Sequence, residues 1–77
     1  MNPTAEKVRA ILAAQLDVDE NKINLNTNIA EELGADSLEL IELMMSVEEE
    51  FGISIEEDQV QNFVTVADVV DYIEKTL

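Results

Sequence analysis

Ser37 lies in the stretch Gly34-Ala35-Asp36-Ser37-Leu38, where a loop gives way to a segment with helical spacing. Few other residues compete with it for a chemical role. The chain has no Cys and no His, which removes the thiolate nucleophile, the commonest general base and the commonest zinc ligand. Ser37 thus has no His for a triad, and the nearest Lys is distant in sequence. A serine at a helix start ordinarily caps the helix. Asp36 is itself a good cap, however, and Glu39 follows three residues later in a variant of the capping-box pattern. Ser37 is then left to project its hydroxyl from the first turn. The free N–H groups and the dipole of that turn tolerate an added phosphate.

The other candidates fail on residue type or spacing. Asp17-Val18-Asp19-Glu20-Asn21 opens like a calcium loop, but its sixth position is Lys22 where the loop needs Gly. Its twelfth is Asn28 where a bidentate Glu is needed. Glu31-Glu32 and Glu48-Glu49-Glu50 have no enclosed site to push two carboxyl pKa values apart, and such runs form solvated faces. With only Gly34 and Gly52 available there is no glycine-rich phosphate loop. No catalytic residue and no metal site are expected.

The element that positions Ser37 is a helix predicted over about 37–51, stopped by Gly52. Steps of about 100° per residue divide its apolar residues into two stripes. Leu40, Leu43, Met44, Val47 and Phe51 form the core face. Leu38, Ile41 and Met45 form a second stripe on roughly the opposite side, with Glu42 and Glu49 beside it and Glu48 near Ile41. A helix buried all round would draw those glutamates towards the interior, where unpaired charge is costly. An exposed apolar strip rimmed by carboxylates is the better reading, and it is how a helix meets a partner. Methionine within it adapts to several partners.

The remaining elements form a frame around this helix. Val8, Ile11, Leu12 and Leu16 mark one face of a first helix, begun by Asn2-Pro3 or by Thr4. Residues 17–36 show no sustained period and read as a long connection pinned by Ile23, Leu25, Ile29 and Leu33, with Gly34 turning the chain into the helix of Ser37. A short helix is expected at about 57–62. A last one, capped by Thr65, carries Val66, Val69, Val70, Ile73 and Leu77 on one face. The fold class is all-α: a small four-helix bundle, three main helices plus one short, with a long first loop and a single domain over 1–77.

The net charge of −14 rests on 18 acidic and 4 basic residues. Between Ile23 and Glu74 every charged residue is acidic, with no Lys or Arg. That surface repels nucleic acid and anionic membranes, and attracts proteins with basic patches. Its self-repulsion should loosen the fold at low salt or high pH, with divalent ions tightening it. A 47% hydrophobic content with clear periodicity argues against disorder. The N-terminal residues lack the pattern of a signal peptide.

Taken together, Gly34-Ala35-Asp36-Ser37-Leu38, Glu42-Leu43, Glu48-Glu49-Glu50-Phe51, Ile55, and Thr65-Val66 through Asp71-Tyr72-Ile73 resemble an acyl carrier protein of the discrete fatty-acid-synthesis type, over essentially the whole chain. The resemblance implies covalent 4′-phosphopantetheine on Ser37, transferred from coenzyme A by a magnesium-dependent phosphopantetheinyl transferase. The arm's thiol would supply the sulfur that this chain lacks and carry acyl groups as thioesters between fatty acid synthase enzymes with basic docking patches. By the same analogy Asp36, Leu38, Ile41, Glu42, Met45, Glu48 and Glu49 contact partners, and Val47, Ile55 and Phe63 line the acyl pocket. A cytoplasmic monomer is expected. Leu40, the soft Met44-Met45-Ser46 run and Glu56 depart from the family pattern. A specialised carrier for polyketide or other lipid pathways would use the same fold and serine. A calcium-binding or acidic adaptor module would leave the serine unmodified.

Overall fold

A computed structural model describes residues 2–77 as helices joined by short connections. Helix α1 runs Pro3–Leu16, α2 Ile29–Leu33, α3 Ser37–Phe51, α4 Glu57–Val60 and α5 Val66–Thr76, with a 3₁₀ turn at Glu20–Lys22. Among the described residues there is no strand. The bundle is all-α with three main helices, as the periodicity predicts. Helix α1 packs against α5 and α3, and α4 packs against α3.

Local side-chain chemistry sets most of the boundaries. The Asn2 side chain accepts the Ala5 N–H at 2.7 Å, and Pro3 occupies the first helical position, where its missing N–H costs nothing. At the other end of α1, Asp17 turns left-handed (φ 55°). Asp19 then accepts the Asn21 N–H and begins the 3₁₀ turn, so the calcium-loop-like stretch is spent on ending one helix and starting a turn. Gly52 ends α3 with φ 66°, a conformation that glycine adopts without a Cβ penalty.

The connection over 17–36 is more structured than its lack of period suggests. Besides the 3₁₀ turn it holds α2, which the sequence reading did not separate from the loop. Asn28 caps this helix by accepting the Glu31 N–H at 2.9 Å, and the Glu32 carboxylate reaches back to the Asn28 N–H at 2.7 Å. Gly34 (φ 72°) stops it. Five residues are too few to show a 3.6-residue period, yet two caps and burial of Ile29 suffice to hold them. Ile23 and Ile29 are buried as expected, whereas Leu25 is exposed.

Two backbone hydrogen bonds clasp this connection to the start of α5. Ile29 N–H donates to Val64 O at 3.0 Å and Val66 N–H to Thr27 O at 3.1 Å, forming an isolated antiparallel bridge between Asn28 and Thr65. The core beneath is built from Val8 and Leu12 of α1, Leu43, Met44 and Val47 of α3, and Val66, Val69, Val70 and Ile73 of α5. Leu40 and Phe51 pack at its edge. Leu77, expected on the buried face of α5, is exposed beyond the last helical residue.

Helix α5 begins in a reciprocal capping box. Thr65 accepts the Asp68 N–H, and the Asp68 carboxylate accepts the N–H groups of Thr65 and Val64. Those two backbone donors hold the Asp68 pKa below its ordinary value of 3.8, because they favour the ionised form. A depressed carboxyl pKa contributes stability above the unfolded value, and that stability is lost as pH falls through the folded value. Asp68→Asn is therefore expected to lower the melting midpoint at pH 7 by a few degrees. The gap between variant and parent should close as pH drops below the usual carboxylate range. Thermal unfolding of both proteins across pH reads this directly, and a gap that stays constant down to low pH would refute it.

Candidate functional site

Ser37 is the first residue of α3 and is exposed. It does not cap its own helix. The Asp36 side chain accepts the Glu39 N–H at 2.8 Å, and the Glu39 carboxylate accepts the Asp36 N–H at 3.4 Å. This box fixes the helix start and leaves the Ser37 hydroxyl to solvent. Ala35, buried just upstream, anchors the turn to the core. A group attached to the Ser37 oxygen would sit at the positive end of a helix of fifteen residues, a setting that suits a phosphodiester. An exposed hydroxyl with its capping duty taken by a neighbour fits such an attachment.

From Ser37 an apolar strip runs down the outer face of α3. Leu38 is 66% exposed, Ile41 36% and Met45 57%. These are the residues of the second stripe, and the structure leaves them uncovered. Glu42 and Glu49 are exposed on the same helix, and both border a hollow between α1 and α3 that Gln15, Leu16, Met45 and Ser46 also line. A hydrogen bond from the Gln15 amide to the Ser46 hydroxyl spans that hollow. Among the described residues the salt bridge is Lys7 to Glu50, at 3.7 Å, with the same ammonium 5.7 Å from the Phe51 ring centre. Glu50 is thereby partly neutralised, while the charges of Glu42 and Glu49 face solvent.

Glu48 differs from these two. It is half-buried, and its carboxylate accepts the Ile55 N–H at 2.6 Å. Its side chain turns towards the α3–α4 connection.

Beside Ser37 lies a cleft of about 250 Å³, walled by Leu40 and Ile41 of α3 and by Glu57, Val60 and Gln61 in and just after α4. The sequence reading did not assign Glu57, Val60 or Gln61. The signal was weak because α4 is a single turn with no side-chain cap. Val47, Ile55 and Phe63 do not line this cleft. Val47 and Phe63 are buried in the core, where the Phe63 ring meets Tyr72 edge-on at 5.4 Å, and Ile55 is half-buried in the connection.

Among the described residues, no three acidic side chains gather as a metal site would require. No helix among them is long and apolar enough to cross a membrane.

Comparison with known proteins agrees with this geometry. A family model described as a phosphopantetheine attachment site matches residues 6–73. The acyl carrier protein of Phytoplasma australiense is 49% identical over 72 residues, covering 94% of this chain and 95% of the relative. That of Zymomonas mobilis subsp. mobilis is 44% identical over 75 residues, covering 97% and 96%. With its helical bundle, its exposed serine at a helix start and these near-full-length matches, the chain belongs to the acyl carrier protein family, as a carrier whose cofactor is phosphopantetheine.

Proposed function

We propose that Ser37 takes the phosphopantetheine, and that the protein shuttles acyl intermediates between the enzymes of fatty acid biosynthesis. One observation carries this reading: Ser37 is exposed at the first position of α3, uncapped by its own side chain, at the head of an apolar strip flanked by carboxylates. When bound, phosphopantetheine supplies a terminal thiol that holds acyl groups as thioesters. The chain itself performs no catalysis. Ser37 would offer its hydroxyl oxygen to the pantetheine-bearing phosphorus of coenzyme A on a phosphopantetheinyl transferase. The serine proton is drawn off, the O–P bond forms as the P–O bond of the diphosphate breaks, and adenosine 3′,5′-bisphosphate leaves.

Leu38, Ile41 and Met45 then give partner enzymes an apolar footing. Asp36, Glu42 and Glu49 meet their basic patches and speed encounter. The cleft beside Ser37 offers Leu40, Ile41 and Val60 as the first apolar shelter for cargo. Val47, Ile55 and Phe63 would be reached only where the core opens. The same reading makes residues 1–77 one carrier domain, a monomer working in the cytoplasm.

Incubation of the purified chain with coenzyme A, magnesium and a promiscuous phosphopantetheinyl transferase tests the proposal by intact mass. One added phosphopantetheine is expected on the parent and none on Ser37→Ala. A parent that gains no mass, or an alanine variant that gains the same mass, ends the proposal.

A further inference from the structure

The half-buried carboxylate of Glu48 carries an inference of its own. Helix α4 is four residues long and has no side-chain cap at its start. So short a helix has little stability of its own and depends on what holds it in place. Val60 is its one buried residue. Ile53 and Ile55 of the connection leading into it, residues 52–56, pack against the core. Among the described residues the hydrogen bonds from this connection to α3 converge on a single residue, Glu48. The backbone oxygen of Glu48 accepts the N–H groups of Gly52 and Ile53, at 2.9 and 3.2 Å. Its carboxylate reaches further along and accepts the Ile55 N–H at 2.6 Å. One residue thus gathers three successive stages of the connection.

We propose that Glu48 is a positioning residue, a latch that holds the α3–α4 connection against α3 and so sets the second wall of the cleft beside Ser37. The charge on Glu48 serves an internal backbone donor, unlike the charges of Glu42 and Glu49, which face solvent. Charge-assisted bonds of this kind are about twice as strong as neutral ones. Releasing this one frees Ile55 and Glu56, the residue that joins it to α4. Glu57, Val60 and Gln61 then move away from Leu40 and Ile41, and the cleft widens. The latch is a property of the unmodified chain, and only its bearing on cargo rests on the assignment of Ser37.

Amide hydrogen exchange on the unmodified chain tests it with two variants. Glu48→Ala removes the acceptor, and the Ile55 amide and those of α4 are expected to exchange about tenfold faster. Glu48→Gln keeps a side-chain oxygen acceptor but loses the charge assistance, so it is expected to accelerate exchange by an intermediate amount. The amides of Val69 and Ile73 in α5 serve as the internal standard and should not change. Three results would overturn the latch: no acceleration at Ile55 in Glu48→Ala, equal acceleration in Glu48→Gln, or the same acceleration throughout α5. Because the measurement needs no phosphopantetheine, it stands or falls independently of the mass assay on Ser37.

Discussion

Reversing Glu42 and Glu49 to lysine in one chain is expected to slow association with a basic partner enzyme by about tenfold or more at low salt, with the loss shrinking as salt rises. Both carboxylates are exposed, and neither is drawn into an ion pair among the described residues. Each reversal changes the local charge by two, on a face where the chain has no basic residue between Lys22 and Lys75. Exposed charges at an interface act chiefly on the encounter rate, because they steer approach and are screened at distance. The fold should be indifferent, since neither side chain bonds to another element. Stopped-flow association with a phosphopantetheinyl transferase at low and high salt reads the effect, and circular dichroism checks helicity. Equal rates for variant and parent at low salt would remove the acidic docking face from the mechanism.

Ile73→Ala should produce the largest loss of stability of any change considered. Ile73 is 0% exposed and lies in the α5 face that packs on α1. Truncating a buried isoleucine to alanine costs about 2–5 kcal/mol, from lost transfer energy and the cavity left behind. A domain of this size has roughly 4–12 kcal/mol in all, so the variant forfeits a large share of it. Leu38→Ala provides the contrast, because Leu38 is 66% exposed and touches no core. Its effect should stay within about 0.5 kcal/mol. Urea unfolding midpoints compare the two. If Leu38→Ala shifts the midpoint as far as Ile73→Ala, the division of α3 into an inner and an outer stripe is wrong.

Features that depend on a few neighbouring residues could be read from the sequence. Asn2-Pro3, Asp36 with Glu39, Thr65, and Gly52 mark their helix ends because a cap or a left-handed stop needs only its own side chain and the next three backbone groups. The two stripes of α3 were legible for the same reason, since fifteen residues give a period room to repeat. Helix α2 was hidden by its brevity, although Asn28 followed by Glu31 and Glu32 was a usable cap signal. The Glu48–Ile55 bond was out of reach because it spans a turn whose path is set by tertiary packing. Glu48, Glu49 and Glu50 look alike in sequence. The structure separates them into a backbone acceptor, a solvent charge and the partner of Lys7.

The clasp between the first connection and the start of α5 bears on how fast this protein can fold. Helical bundles fold quickly when their contacts are local in sequence. Here Thr27 meets Val66, Ala67 N–H donates to Leu25 O at 2.9 Å, and the α1–α5 pairing joins the two ends of the chain. These contacts enclose α2, α3 and α4, including Ser37, in one large loop whose closure entropy is spent before the terminal helices can repay it. Closing that loop brings together residues far apart in sequence, a requirement more usual in β proteins. The outer stripe of α3, exposed at Leu38, Ile41 and Met45, takes no part in that closure.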